Sequence, residues 1–66
     1  MHVTINGKAR ETESGVTVER LLLDLGLAGE RIAVELNRNV LQAAEFAGTA
    51  IREGDCLEIV RFVGGG

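Results

Sequence analysis

A single cysteine and a single histidine in a chain of 66 residues remove the two staples on which very small domains most often rely. One thiol closes no disulfide, and without a C-x-x-C or H-x-x-x-H spacing there is no ligand set for a structural metal. The chain must therefore hold together by regular packing, and at this length it has material for one thin core and one domain. Its composition suits such packing, since 45% of the residues are hydrophobic and 26% are charged, the proportions of an ordinary globule. An unpaired thiol is consistent with a reducing compartment. The start Met1-His2-Val3-Thr4 lacks the basic region and apolar run of a signal peptide, and no apolar stretch approaches the length of a membrane span. A cytoplasmic protein with no membrane partner is expected.

The formal net charge is -3, and Lys8, Arg10, Arg20, Arg31, Arg38, Arg52 and Arg61 are scattered among more numerous acids. No basic stripe is available to neutralise phosphates, and Phe46 and Phe62 are the only aromatics on which bases could stack. Nucleic acid is not an expected partner.

The apolar pattern switches period along the chain. His2-Val3-Thr4-Ile5-Asn6 alternates as a half-buried strand does, and Asn6-Gly7 is a strong two-residue hairpin signal. Lys8 to Glu13 then reads as a weakly apolar return strand at a sheet edge, where charge discourages edge-to-edge association. After Ser14-Gly15, Thr17 occupies an N-cap position, and Val18, Leu21, Leu22 and Leu25 follow at helical spacing. Glu19 suits the helix N-terminus, Gly26 suits a left-handed C-terminal cap, and Leu27 can fold back on the helix end. Arg20 stands where a capping box needs Glu, so a simple cap is expected.

Arg31 to Leu36 alternates again, with Ile32, Val34 and Leu36 on one face, and Asn37-Arg38-Asn39 turns the chain. Val40-Leu41 predicts a short strand. Gln42 to Thr49 predicts a loop or a single helical turn carrying Phe46. After the turn at Glu53-Gly54-Asp55, Cys56 to Val63 is the last apolar run, with Leu57 and Ile59 on one face and Cys56, Glu58, Val60 and Phe62 on the other. So apolar a strand belongs in the middle of a sheet, beside the first strand. The expected fold is α+β: a β-grasp with a mixed four- to five-stranded sheet and one main helix on one face. Residues 1–63 form the domain and 64–66 a flexible glycine tail.

Few side chains offer chemistry. His2 reads as an exposed residue at a frayed strand end, and Cys56 as a small apolar filler, since no Lys, Arg or helix N-terminus is evident to lower a thiol pKa. Gly7 and Gly54 lie in turns and open no phosphate loop. The carboxylates are spread over turns and outer strand faces. No intrinsic catalytic residue and no metal site are expected.

What is left is the terminus, where Gly64-Gly65-Gly66 follows the last strand without a polar spacer. An end without side chains can thread a narrow cleft and present its α-carboxylate to a bound nucleotide. Conversion to an acyl-adenylate would give that carboxylate a good leaving group, which a sulfur nucleophile could displace to leave a thiocarboxylate. No residue of the chain performs the activation, so a separate ATP-dependent enzyme is expected. Such an enzyme needs a docking surface, for which Val60 and Phe62, with Val63 beside the tail, are the candidates.

Over essentially its whole length the chain resembles the ThiS family, sulfur carriers of thiazole formation in thiamine biosynthesis. The residues that carry the resemblance are Ile5-Asn6-Gly7, Thr17-Val18 with Leu21-Leu22, Ile32-Ala33-Val34-Glu35-Leu36-Asn37, Ile51-Arg52-Glu53-Gly54-Asp55, and above all Glu58-Ile59-Val60-Arg61-Phe62-Val63-Gly64-Gly65-Gly66. The family often has a Val-Pro-Arg stretch and a Trp where this chain has Leu41-Gln42-Ala43 and Phe46. The resemblance implies a ubiquitin-like β-grasp, and a Gly66 that an E1-like adenylyltransferase activates with ATP and magnesium. It also implies sulfur supplied by a cysteine desulfurase or sulfurtransferase and donated to thiazole synthase, with Gly64, Gly65 and Gly66 entering the partners' clefts. The small subunit of molybdopterin synthase, a carrier for tRNA thiolation and a ubiquitin-like modifier share such a tail. From other classes, the alternatives are an interaction module with an inert tail and a small enzyme using His2 and Cys56.

Overall fold

Asn6 and Gly7 both lie at positive φ, 51° and 81°, as the two central residues of a tight hairpin require. Around them, in a computed structural model that describes residues 1–62, strand β1 (His2–Ile5) pairs antiparallel with β2 (Lys8–Glu11), Ile5 opposite Lys8. The return strand is shorter than the pattern to Glu13 suggests. It ends at Glu11 because its partner begins at His2, the pairing closing with Thr12 N–H donating to the Met1 carbonyl at 2.8 Å. All of β2 is exposed, as befits an edge.

Helix α1 (Val18–Asp24) is only seven residues long, too short to persist in isolation. Its ends are secured instead. Arg20 N–H donates to Thr17 Oγ1 at 3.1 Å, the simple N-cap expected, and Glu19 lies in the first turn. At the other end Gly26 (φ 77°) donates to the Leu23 carbonyl at 3.0 Å and Leu27 to the Leu22 carbonyl at 2.8 Å. This is the paired Schellman arrangement, and it brings Leu27 back against the core. Val18, Leu21 and Leu22 are buried, while Leu25 forms the cap and is only partly covered.

Strands β3 (Ile32–Leu36) and β4 (Asn39–Leu41) form a second antiparallel hairpin, followed by a 3-10 helix over Ala43–Gly48 and the last strand β5 (Cys56–Arg61). The 3-10 helix is longer than the single turn expected. It is closed at its start by Gln42 N–H donating to Glu45 Oε1 at 2.6 Å and at its end by Thr49 Oγ1 donating to the Glu45 carbonyl at 2.7 Å. Phe46 projects from it to pack against the core.

The strands lie in the order β2-β1-β5-β3-β4, with β5 parallel to β1 and antiparallel to β3. The α+β β-grasp with β5 at its centre is thus as the apolar pattern predicts. The core consists of Val3, Val18, Leu21, Leu22, Val34, Ile51, Leu57 and Ile59 between the helix and one face of the sheet. Ile51 belongs to no strand. It is secured by a short run beside the helix start, in which Ile51 N–H donates to the Val16 carbonyl and Val18 N–H to the Thr49 carbonyl.

Candidate functional site

Since side chains alternate along a strand, one helix on one face leaves every second residue of β5 uncovered. Leu57 and Ile59, at 1% and 7% exposure, point toward α1, whereas Val60 and Phe62, at 55% and 60%, do not. Across the open face Val60 is opposite Ala33, Glu58 is opposite Glu35, and Glu35 is opposite Val40, itself well exposed. The two candidate docking residues in the described region, Val60 and Phe62, therefore form part of a solvent-facing apolar surface. Two carboxylates sit in register in its middle. Like charges directly opposite each other weaken a sheet, so Glu35 and Glu58 are a cost to the isolated domain. Val40 and Glu35 were not legible as parts of this surface, because their membership depends on the pairing of β3 with its neighbours. Val63, Gly64, Gly65 and Gly66 lie outside the described residues.

The root of the tail is well held on one side. Phe62 N–H donates to the Arg31 carbonyl at 2.9 Å, and the Arg61 guanidinium lies 3.2 Å from Glu30 Oε1. That ion pair is solvent-exposed and contributes little to stability, but it sits beside the point where β5 ends. On the other side, Ile59 N–H donates to Asn6 Oδ1 at 2.7 Å and Asn6 Nδ2 donates to the Ile59 carbonyl at 3.1 Å. At the start of the strand Cys56 N–H donates to Asn37 Oδ1 at 2.9 Å. Both asparagines are in the left-handed region, φ 51° and 50°, and both turn residues reach β5 through their side chains. In the sequence they read only as turn-formers.

The two candidates for an intrinsic active site are not brought together by hydrogen bonding among the described residues. Cys56 is exposed, contrary to its reading as an apolar filler, because its parity places it on the uncovered face with Glu58 and Val60. His2 is held more firmly than a frayed end would be. Its N–H donates to Glu53 Oε1 at 2.8 Å, and its ring lies 3.2 Å from Glu11 Oε2 and 3.5 Å from Glu53 Oε2. Among the described residues no group of His, Cys, Asp and Glu has the geometry of a metal site, and no helix is long and apolar enough to cross a membrane.

Comparison with known proteins supplies an independent line. The model of the ThiS family matches residues 3–66. The chain is 42% identical over 66 residues to a thiazole synthase of Paramagnetospirillum magneticum, a match that takes in all of this chain and 20% of that protein. It spans about a fifth of the length of the thiazole synthases it matches. It is 33% identical over 64 residues to the sulfur carrier protein ThiS of Thermus thermophilus, covering 97% of this chain and 98% of that one. The crystal structure of a thiamine biosynthesis protein (ThiS) from Geobacter metallireducens superposes over 100% of both chains, with a TM-score of 0.86 and 38% identity.

Proposed function

The chain belongs to the ThiS family, and on that premise we propose that it is a sulfur carrier of thiamine biosynthesis whose Gly66 carboxyl is the group that bears the sulfur. The observation that carries this reading is the family match over residues 3–66, which includes the three glycines. The fold supports it. The strand leading to those glycines is the central one of the sheet, paired with β1 at its start and with β3 through to Arg61.

The chemistry follows from the carboxylate. One oxygen of Gly66 attacks the α-phosphorus of ATP, bound with magnesium by an E1-like adenylyltransferase, and pyrophosphate departs. The resulting acyl-adenylate has an electrophilic carbonyl carbon. The terminal sulfur of a persulfide borne by a cysteine desulfurase or sulfurtransferase adds to it, and AMP leaves with the bonding pair. A second thiol then attacks the donor-cysteine sulfur of the resulting acyl disulfide, forming a disulfide with that cysteine and releasing the thiocarboxylate. The chain contributes no catalytic residue to these steps; it is a protein cosubstrate. Val60 and Phe62, exposed on the open face, dock it to the enzyme with Val63 next to the tail. Relatives named thiazole synthase contain a stretch similar to this whole chain, which supports thiazole synthase as the acceptor of the sulfur and favours thiazole formation over the molybdopterin alternative.

The test is intact mass after incubation with the adenylyltransferase, ATP, magnesium and a sulfur source. Exchange of one oxygen for sulfur adds about 16 Da and makes the product sensitive to alkylation. Deletion of Gly66 is expected to abolish the gain and leave the folded core intact, since a chain end contributes little packing. An unchanged mass in the wild-type chain overturns the reading.

A further inference from the structure

Strands β1 and β5 run side by side only briefly. Thr4 lies opposite Cys56 and Ile5 opposite Leu57, after which β1 turns away at Asn6-Gly7 while β5 continues to Arg61. Even-numbered residues of β5 bond toward β3, as Phe62 does to Arg31, and odd-numbered ones toward β1, as the Leu57 carbonyl does in accepting from Asn6 N–H at 2.9 Å. Beyond Leu57 the odd-numbered residues have no strand to meet. At Ile59 the carboxamide of Asn6 takes both vacant roles, accepting from the N–H and donating to the carbonyl. A side-chain amide is chemically a peptide unit. The ladder thereby gains one more rung without any further strand.

We infer that Asn6 is a positioning residue for the tail: its carboxamide substitutes for the missing peptide of β1 and sets the direction in which β5 leaves the sheet at Phe62. Without that rung the end of β5 is held from the β3 side alone, at Val60 by Ala33 and at Phe62 by Arg31. A strand end held along one edge frays and twists at small free-energy cost. At a strand's rise of about 3.3 Å per residue, the chain from Ile59 to Phe62 spans roughly 10 Å, so a tilt of about 10° displaces Phe62 by about 2 Å. Misplacement by about 1 Å already slows reactions that depend on alignment. This consequence rests on the carrier reading of Gly66; the clamp itself does not.

The turn explains a left-handed residue at position 6 but not the choice of asparagine, since glycine meets the φ requirement at least as well. Asn6→Gly therefore removes the carboxamide and spares the turn. Asn37→Gly is the matched control. It too sits at positive φ and loses a side-chain bond to β5, but at Cys56, the far end from the tail.

The experiment measures amide exchange by NMR in the full chain, N–H residual dipolar couplings of Arg61 and Phe62, and steady-state adenylation of each variant. For Asn6→Gly, exchange at Ile59 is expected to rise at least about tenfold relative to the core amide of Val34, as for a local opening. The couplings at Arg61 and Phe62 should change, and kcat should fall about tenfold with KM nearly constant, because docking is intact and alignment is not. Asn37→Gly should leave all three unchanged. Asn6→Asp, which keeps the acceptor and loses the donor, should retain protection at Ile59 N–H and serves if the glycine variant folds poorly. Unchanged exchange at Ile59 in Asn6→Gly, or an equal loss of kcat in Asn37→Gly, overturns the inference. A wild-type chain that is never adenylated overturns the carrier reading instead, while exchange and couplings still decide the role of Asn6.

Discussion

Truncating two residues three positions apart on β5 should have very different consequences. Leu57 is 1% exposed and lies between Ile5 and Leu36 on the helix-facing side. Leu57→Ala removes three buried carbons at about 0.8 kcal/mol each, and the cavity adds to that, for a total of about 3–4 kcal/mol. A domain of this length has roughly 3–10 kcal/mol of stability altogether, so the loss is a large share of it. Val60 is 55% exposed on the other face, and Val60→Ala should cost no more than about 1 kcal/mol, mostly lost strand preference. The chain has no Trp or Tyr, so unfolding in urea is followed by far-ultraviolet circular dichroism rather than fluorescence. With a slope of about 1 kcal/mol per molar, the midpoint should drop by about 3 M for Leu57→Ala and by less than about 1 M for Val60→Ala. Equal losses would mean that Val60 is packed in the free domain. That result would refute the uncovered face and the docking role built on it.

Three further outcomes are expected. Thr17→Ala removes the N-cap acceptor of Arg20 N–H and should lower stability by about 1 kcal/mol in the same urea titration; no change would mean the cap contributes nothing to so short a helix. Gly26→Ala meets no atom within 4 Å, so its cost should be conformational only, about 1 kcal/mol from the positive φ, and Gly26→Asn should recover part of it. Cys56, being exposed, should be alkylated in the native chain at nearly the rate found in urea; reaction only upon unfolding, read by intact mass, would contradict its place on the open face.

What the sequence determined alone was whatever depends on neighbours a few residues away. Asn6-Gly7 closes a hairpin through its own backbone preferences, Thr17 caps the first turn of α1, and Gly26 permits the Schellman end. The alternation of Leu57 and Ile59 with Glu58 and Val60 sorted the last strand into two faces before any partner was known. The terminal glycines were equally plain. Tertiary structure decided the rest, because it depends on residues far apart in the chain. Burial of Ile51, in a stretch with no periodicity, comes from the Val16 and Thr49 backbone that grips its surroundings. The facing of Glu35 and Glu58 requires the register of β3 on β5. The grip of Asn6 on Ile59 requires that β1 end where β5 goes on, a difference in strand length that no local pattern records, because hydrogen-bonding partners are set by spatial pairing rather than by distance along the chain.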